Sequence, residues 1–390
     1  MGTRPNRANP GIDAQGWRNA RALDAADIVV LGDSMEYGWG VAPQSAWPQR
    51  LGQILQRPVY QMAFGGYGPG QYLLLFDEAA SLRPKVVIAA YYLGNDLHDA
   101  YSLAYHTGDN AHTLPNATLR VLASKDSKVR EAIRAAEAVD PGLLRSGYVG
   151  CYDRQEITDP HLQQVHDVLS IPPLGRPVHS SVPPRVPAHS ESIRASLRSL
   201  LRHSMAYRVA RRAFDQAAQR LVPSPAADYG SPLCVHFRDD RLKTVFSPGL
   251  RLIALDRSDP RIVEGERISL LAYQALAARC RLAGIHFYVA MIPTKETAFR
   301  PRAEPLLQHE LYLRDLWDAE AGARARAFGF FGQVHIDTID ALPALQALIV
   351  SGINPYHENW DGHPVALGYD AIARAVAERL RRDGLFATLR

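Results

Sequence analysis

The chain has 390 residues, 47% hydrophobic and 22% charged, with a formal net charge of +4. That is ordinary for a globular protein with a sizeable core, and its length suits two or three domains or one domain with a large insertion. The mild positive charge does not argue for nucleic acid, and no 18-residue apolar run exists to span a membrane. The three cysteines, Cys151, Cys234 and Cys280, are too widely spaced for a metal knuckle or a dense disulfide framework. Cys280 falls in a helical stretch and reads as core, while Cys151 and Cys234 are candidates for one disulfide. No signal peptide is visible, so an exported or periplasmic location would require a removed N-terminal segment.

Residues 1–24 are polar and irregular and read as an N-terminal arm. Residues 28–31 form a first strand, Ala46 to Gln56 a helix and Val59 to Ala63 a second strand. The loop from Phe64 to Gly70 carries four glycines, which permit close backbone approach and positive φ. Gln71 to Leu82 follows as a helix and Val86 to Tyr92 as a third strand. Such alternation predicts a parallel sheet with right-handed crossovers. It lapses over residues 101–262, which are expected to form an insertion or lid. Within them, residues 171–189 are proline-rich and read as extended. Residues 190–221 read as an arginine-bearing helix, either a solvated basic face or a surface for anionic polymers or lipid headgroups. Alternation returns with a helix over Ile268 to Ala283 and a strand over Ile285 to Ile292. Residues 302–328 read as helix, Val334 to Ile336 as a short strand and Ala366 to Arg382 as the last helix. Residues 25–100 and 263–390 therefore form one α/β domain.

The apolar run Ile28 to Leu31 stops at Gly32-Asp33-Ser34. This leaves a serine at the carboxyl end of a parallel strand, where open α/β sheets gather their chemistry. A serine hydroxyl needs a base to become a nucleophile, although Ser34 could equally be a helix cap. His363 is the natural base, because Asp361 stands two residues away and an acid on one ring nitrogen fixes the tautomer. His357 is the rival, but no acid stands in that relation to it. Acyl transfer also needs donors for a developing oxyanion. Asn95 after the third strand, Gly66 after the second and the Ser34 amide are the candidates. Asp33 and Asp96 read as structural, accepting from loop amides.

These blocks resemble the SGNH (GDSL-type) hydrolase superfamily. Gly32-Asp33-Ser34 matches its first block, the Gly66 loop its second, Gly94-Asn95-Asp96 its third and Asp361-Gly362-His363-Pro364 its fifth. The resemblance implies a three-layer α/β/α flavodoxin-like parallel sheet with a large insertion. It implies Ser34 as nucleophile, His363 as base, Asp361 as the orienting acid, and Ser34, Gly66 and Asn95 as oxyanion donors. Two departures stand out. The second block has Gln61 and Ala63 where Asn and Gly are usual, and one residue rather than two separates Asp361 from His363. That shorter spacing, and a Pro293-Thr294-Lys295 segment after a strand, resemble SGNH-like proteins acting on polysaccharides, including O-acetyltransferases. Lys295 then either contacts substrate or pairs with an acid such as Glu296.

The expectation is a serine esterase removing acyl groups, most plausibly acetyl from a carbohydrate, without metal or cofactor. A polysaccharide O-acetyltransferase using the same triad, and a non-catalytic carbohydrate-binding protein on the same core, are the alternatives. No P-loop or His-Glu-x-x-His motif occurs. Asn116-Ala117-Thr118 fits a glycosylation sequon, a triplet frequent by chance.

Overall fold

The computed structural model describes residues 11–105, 122–139 and 234–386. They belong to the larger of two compact units, Met1–Gly150 with Leu233–Arg390; the smaller, Cys151–Pro232, lies outside the described residues. The proline-rich stretch, the basic helix 190–221, Cys151 and the Asn116 sequon therefore lie outside them too.

Five strands form the central sheet: β1 Ile28–Gly32, β2 Val59–Ala63, β3 Val86–Tyr92, β6 His286–Ile292 and β7 Asp337–Asp340. Their order is β2-β1-β3-β6-β7, and every pairing is parallel. Counting only these five strands, the order is 2-1-3-4-5, the flavodoxin-like winding, with its switch point between β1 and β3. β1, β2 and β3 are buried along their whole length, as strands covered on both faces must be.

Alternate side chains feed two cores. Val29, Leu31, Val87, Ala89, Tyr91, Val289 and Met291 pack into the first. It is closed by α3 (Pro69–Leu74), α4 (Phe76–Ser81), α5 (Asp96–Tyr105), α8 (Pro260–Leu282) and one side of α10 (Leu311–Gln333). Ile28, Val30, Ile88, Ala90, Tyr288 and Ile292 face the second. That core is closed by α2 (Trp47–Leu55), α9 (Lys295–Ala303), α11 (Leu342–Val350) and α12 (Ala366–Arg382). The molecule is thus a three-layer α/β/α fold, as the period-2 burial of a doubly covered sheet requires.

Several elements differ from expectation for local reasons. The helix expected over 71–82 is two, starting at Pro69, whose missing N–H suits a first turn. α8 begins eight residues before the expected Ile268, because the Asp259 side chain caps it by accepting from the Arg261 amide. Residues 302–328 hold the end of α9 and most of α10. The last strand is Asp337–Asp340 rather than 334–336, since α10 runs on to Gln333 and His335 takes φ +55. α11 was not expected. Within the interval read as an insertion, α6 (Ser127–Val139), the antiparallel hairpin β4 (Val235–Arg238) with β5 (Lys243–Phe246), and α7 (Pro248–Ile253) belong to the larger unit.

Residues 11–24 are irregular but pinned to the sheet. Trp17 is fully buried, and the Asn19 side chain bonds both the amide and the carbonyl of Gln61 on edge strand β2. Satisfying those edge groups closes a site where another strand could otherwise pair. Cys234 is disulfide-bonded, while Cys280 is free and buried in α8.

Candidate active site

Ser34 is the first residue of α1 (Ser34–Tyr37), a single turn that ends at Gly38 with φ +77. Asp33 caps it, accepting from the Met35 amide at 2.7 Å. Glu36 folds back and accepts from the Asp33 amide at 3.1 Å and from the Trp47 indole at 2.9 Å. Gly32 is required because Glu36 lies across it: a Cβ there would come within 2.2 Å of the Glu36 side chain. The Gly-Asp-Ser-x-Glu order is therefore a capping box that forces the chain to turn sharply at Ser34.

Around this turn the blocks that resemble SGNH hydrolases converge at the carboxyl edge of the sheet. His363, 329 residues later in the chain, places Nε2 2.8 Å from the Ser34 hydroxyl oxygen. Its Nδ1 lies 2.6 Å from Asp361 Oδ1, which also accepts from the His363 amide at 2.9 Å. Asn359 in turn bonds the Asp361 amide at 3.0 Å. Burial opposes ionisation of Asp361, but the charge and hydrogen bonds of His363 outweigh it and hold the carboxyl well below the usual range. An imidazole set between a carboxylate and a hydroxyl can take the hydroxyl proton and bear the resulting charge. His357 does not enter this chain of contacts; its carbonyl accepts from Thr244 and Lys295.

Gly66 and Asn95 reach the same edge. Tyr67 donates to the Phe64 carbonyl at 3.0 Å, and Gly66, at φ +79, takes the left-handed corner of that turn. Gly65 sits against Ser34, since a Cβ on it would lie 3.8 Å from the Ser34 Cβ. The amides of Ser34 and Gly66 donate to nothing among the described residues. Asn95 Nδ2 spends one hydrogen on Asp33 at 3.3 Å, which leaves its second.

Three carboxyls are fully buried behind Ser34. Asp33 is pushed upward by burial, partly offset by the Met35 amide and His363. Burial, then the Asp33 charge, pushes both Glu36 and Asp96 well up. Asp96 accepts from the Tyr92 amide at 2.8 Å and pins the end of β3. Their hydrogen bonds run to backbone amides, the Trp47 indole and the Asn95 amide, so they act as bolts of the turn.

Sequence reasoning missed Arg18 and singled out Lys295 without its direction; both cations gather flanking loops. Arg18 donates to the carbonyls of Tyr37, Gly38 and Val41 at 2.6–2.7 Å, fixing the loop after α1. That loop presents Trp39, 40% exposed, with its ring centroid 6.2 Å from that of His363. Tyr37 and Phe64 continue an aromatic arc toward the Gly66 turn. Lys295, which could have contacted substrate, is only 1% exposed and donates to the carbonyls of His357, Asn359 and Asp361. All three of these contacts run to backbone carbonyls of one loop. Burial pushes the Lys295 amine down to about 7, against the pull of Glu296 and Asp361. A lone Arg or Lys carries no signal of backbone carbonyls folded around it, so these contacts could not be read from sequence.

Among the described residues, no group of three or more His, Cys, Asp or Glu is placed to hold a metal ion. Nor is any described helix long and apolar enough to cross a membrane.

No protein-family model and no curated protein matches the chain. Among solved structures it is similar to a Desulfitobacterium hafniense protein assigned to the G-D-S-L lipolytic family, at 10% identity over 90% of this chain and 97% of that one, with a TM-score of 0.34. A GDSL-like lipase from Bacteroides thetaiotaomicron is similar at 9% identity over 91% and 88%, with a TM-score of 0.35. A Bacteroides fragilis protein assigned as an acylhydrolase is similar at 11% identity over 98% and 91%, with a TM-score of 0.34.

Proposed function

We propose that the protein is a serine esterase that hydrolyses acyl esters through a covalent Ser34 intermediate. The observation that carries this reading is the unbroken contact from Ser34 through His363 to Asp361. Ser34 Oγ attacks the ester carbonyl as His363 Nε2 takes its proton. The developing oxyanion is met by the Ser34 and Gly66 amides and the second Asn95 hydrogen. His363 then gives its proton to the leaving alcohol, activates water and regenerates Ser34. Asp361, held ionised, keeps Nδ1–H facing itself and stabilises the imidazolium of each step.

The finer reading is an acetyl ester of a carbohydrate. What supports it is Trp39: a part-exposed indole beside the base offers a flat apolar face to a sugar ring. The test compares wild type and Ser34→Ala on p-nitrophenyl acetate and on acetylated oligosaccharides, with and without unacetylated oligosaccharide as acceptor. Release of free acetate by wild type, abolished in Ser34→Ala, supports hydrolysis. Transfer of the acetyl group to the acceptor in place of acetate release replaces it with the acyltransferase reading. Activity surviving in Ser34→Ala removes both.

A further inference from the structure

The loop that carries Asp361 and His363 has no regular secondary structure to hold it beyond one bridge between Tyr356 and Pro364. Something else must fix its path, because proton transfer needs Nε2 at its 2.8 Å from Ser34. The loop curls around the Lys295 ammonium. Nζ donates to the carbonyls of His357 at 3.0 Å, Asn359 at 2.5 Å and Asp361 at 3.2 Å. Carbonyls at alternate residues thus face one point. Three acceptors are matched by an ammonium with three N–H and not by a neutral amine with two. Lys295 itself is anchored at the start of α9, immediately after β6, where the Thr294 hydroxyl caps the helix through the Thr297 amide at 3.2 Å. The buried Glu320 locks Thr294 in turn by accepting from its amide at 3.0 Å. Asp361 closes the chain of contacts: its carbonyl is held by Lys295 while its carboxylate holds His363.

We propose that Lys295 is the positioning residue of the site: it ties the 357–361 loop to the carboxyl end of β6 and so delivers Asp361 and His363 to Ser34. The proposal rests on the reading of Ser34, His363 and Asp361 as the reacting groups. It assigns Lys295 no contact with substrate. A loop freed to shift by about 1 Å loses on the order of 100-fold in rate.

The test is a double-substitution cycle on p-nitrophenyl acetate hydrolysis with wild type, Lys295→Met, His363→Ala and the two combined. Circular dichroism and thermal melting establish that each is folded. The expected result is a fall in kcat of roughly 30- to 100-fold in Lys295→Met with KM within about threefold of wild type. In the His363→Ala background the same substitution changes the residual rate by less than about threefold, because the group it positions is gone. Lys295→Arg, which keeps charge and donors, recovers at least about a tenth of wild-type kcat. A folded Lys295→Met enzyme with wild-type kcat overturns the proposal, as does a full rate loss that persists in the His363→Ala background. Should Lys295→Met not fold, Lys295→Arg is carried through the same cycle, and a loss undiminished by His363→Ala overturns the proposal. Ser34→Ala, assayed alongside, separates a failure of the underlying reading: activity retained there removes the nucleophile itself.

Discussion

Replacing Asp361 by Asn should slow acyl transfer by between about 100- and 1,000-fold while leaving KM nearly unchanged. The substitution keeps shape and removes one charge, so its cost can be worked from the geometry. In the transition state His363 becomes an imidazolium whose Nδ1 lies 2.6 Å from Asp361 Oδ1. The two charge centres are then about 4 Å apart, worth about 4 kcal/mol at an effective dielectric of about 20. The amide dipole of Asn and entering water recover about 1 kcal/mol of that, on the scale of a net hydrogen bond. At about 1.4 kcal/mol per decade, the remaining ~3 kcal/mol is a little over two decades in rate. Asn adds a second fault. Its Nδ2 can donate to His363 Nδ1 and so leave the ring proton on Nε2, which then cannot accept the Ser34 proton, and this pushes the loss toward the upper figure. The assay is steady-state hydrolysis of p-nitrophenyl acetate, with melting curves to show that the loop is intact. A folded Asp361→Asn enzyme within fivefold of wild-type kcat would refute the reasoning, as would a loss carried by KM alone.

Gly32→Ala should lower the melting temperature by roughly 3–6 °C, because its Cβ displaces Glu36 and breaks that side chain's bonds to Trp47 and Asp33, a loss of about 2–4 kcal/mol. A variant that melts with wild type would show that Glu36 moves aside without cost. Trp39→Ala should reduce kcat/KM for an acetylated oligosaccharide by about tenfold, on the scale of one aromatic contact, and leave ethyl acetate within twofold. Equal losses on both esters would sink the stacking role. The pH dependence of stability follows from Asp361, whose folded pKa is depressed. Its contribution is present in full above roughly pH 4, where an unfolded aspartate titrates, and is lost as pH falls through the folded value. The melting-temperature gap between wild type and Asp361→Asn should therefore be widest above about pH 4 and narrow progressively as pH falls below that. A gap that widens in acid would contradict the ion pair.

Much of the site could be read from the sequence because Ser34, Gly66 and Asn95 each follow a strand whose burial pattern is legible. β1 and β3 are uninterrupted apolar runs ending at Gly32 and just before Gly94, so Ser34 and Asn95 had to emerge at the same sheet edge. Asp361 and His363 announce themselves by mutual spacing, and α12 begins right after them at Ala366. What escaped was decided by tertiary contact. α11 is apolar nearly throughout and offers no period that separates helix from strand. The hairpin β4–β5 has two four-residue strands, only partly alternating, inside a stretch without other signals. Residues 11–24 lack periodicity, yet Asn19 holds them to β2 and the Trp17 indole donates to Glu78 of α4. Lys295 stood out by its place after a strand, but its direction was invisible: only the folded 357–361 loop shows that three carbonyls occupy its donors.

The central claim is that the Ser34 hydroxyl is the nucleophile, and covalent trapping tests it most directly. The enzyme is treated with a fluorophosphonate, digested and mapped by mass spectrometry. The account predicts one phosphonylated peptide, modified at Ser34, with label rising in parallel with loss of esterase activity and absent from Ser34→Ala. An active enzyme labelled at another residue, or inactivated with Ser34 unmodified, would contradict it.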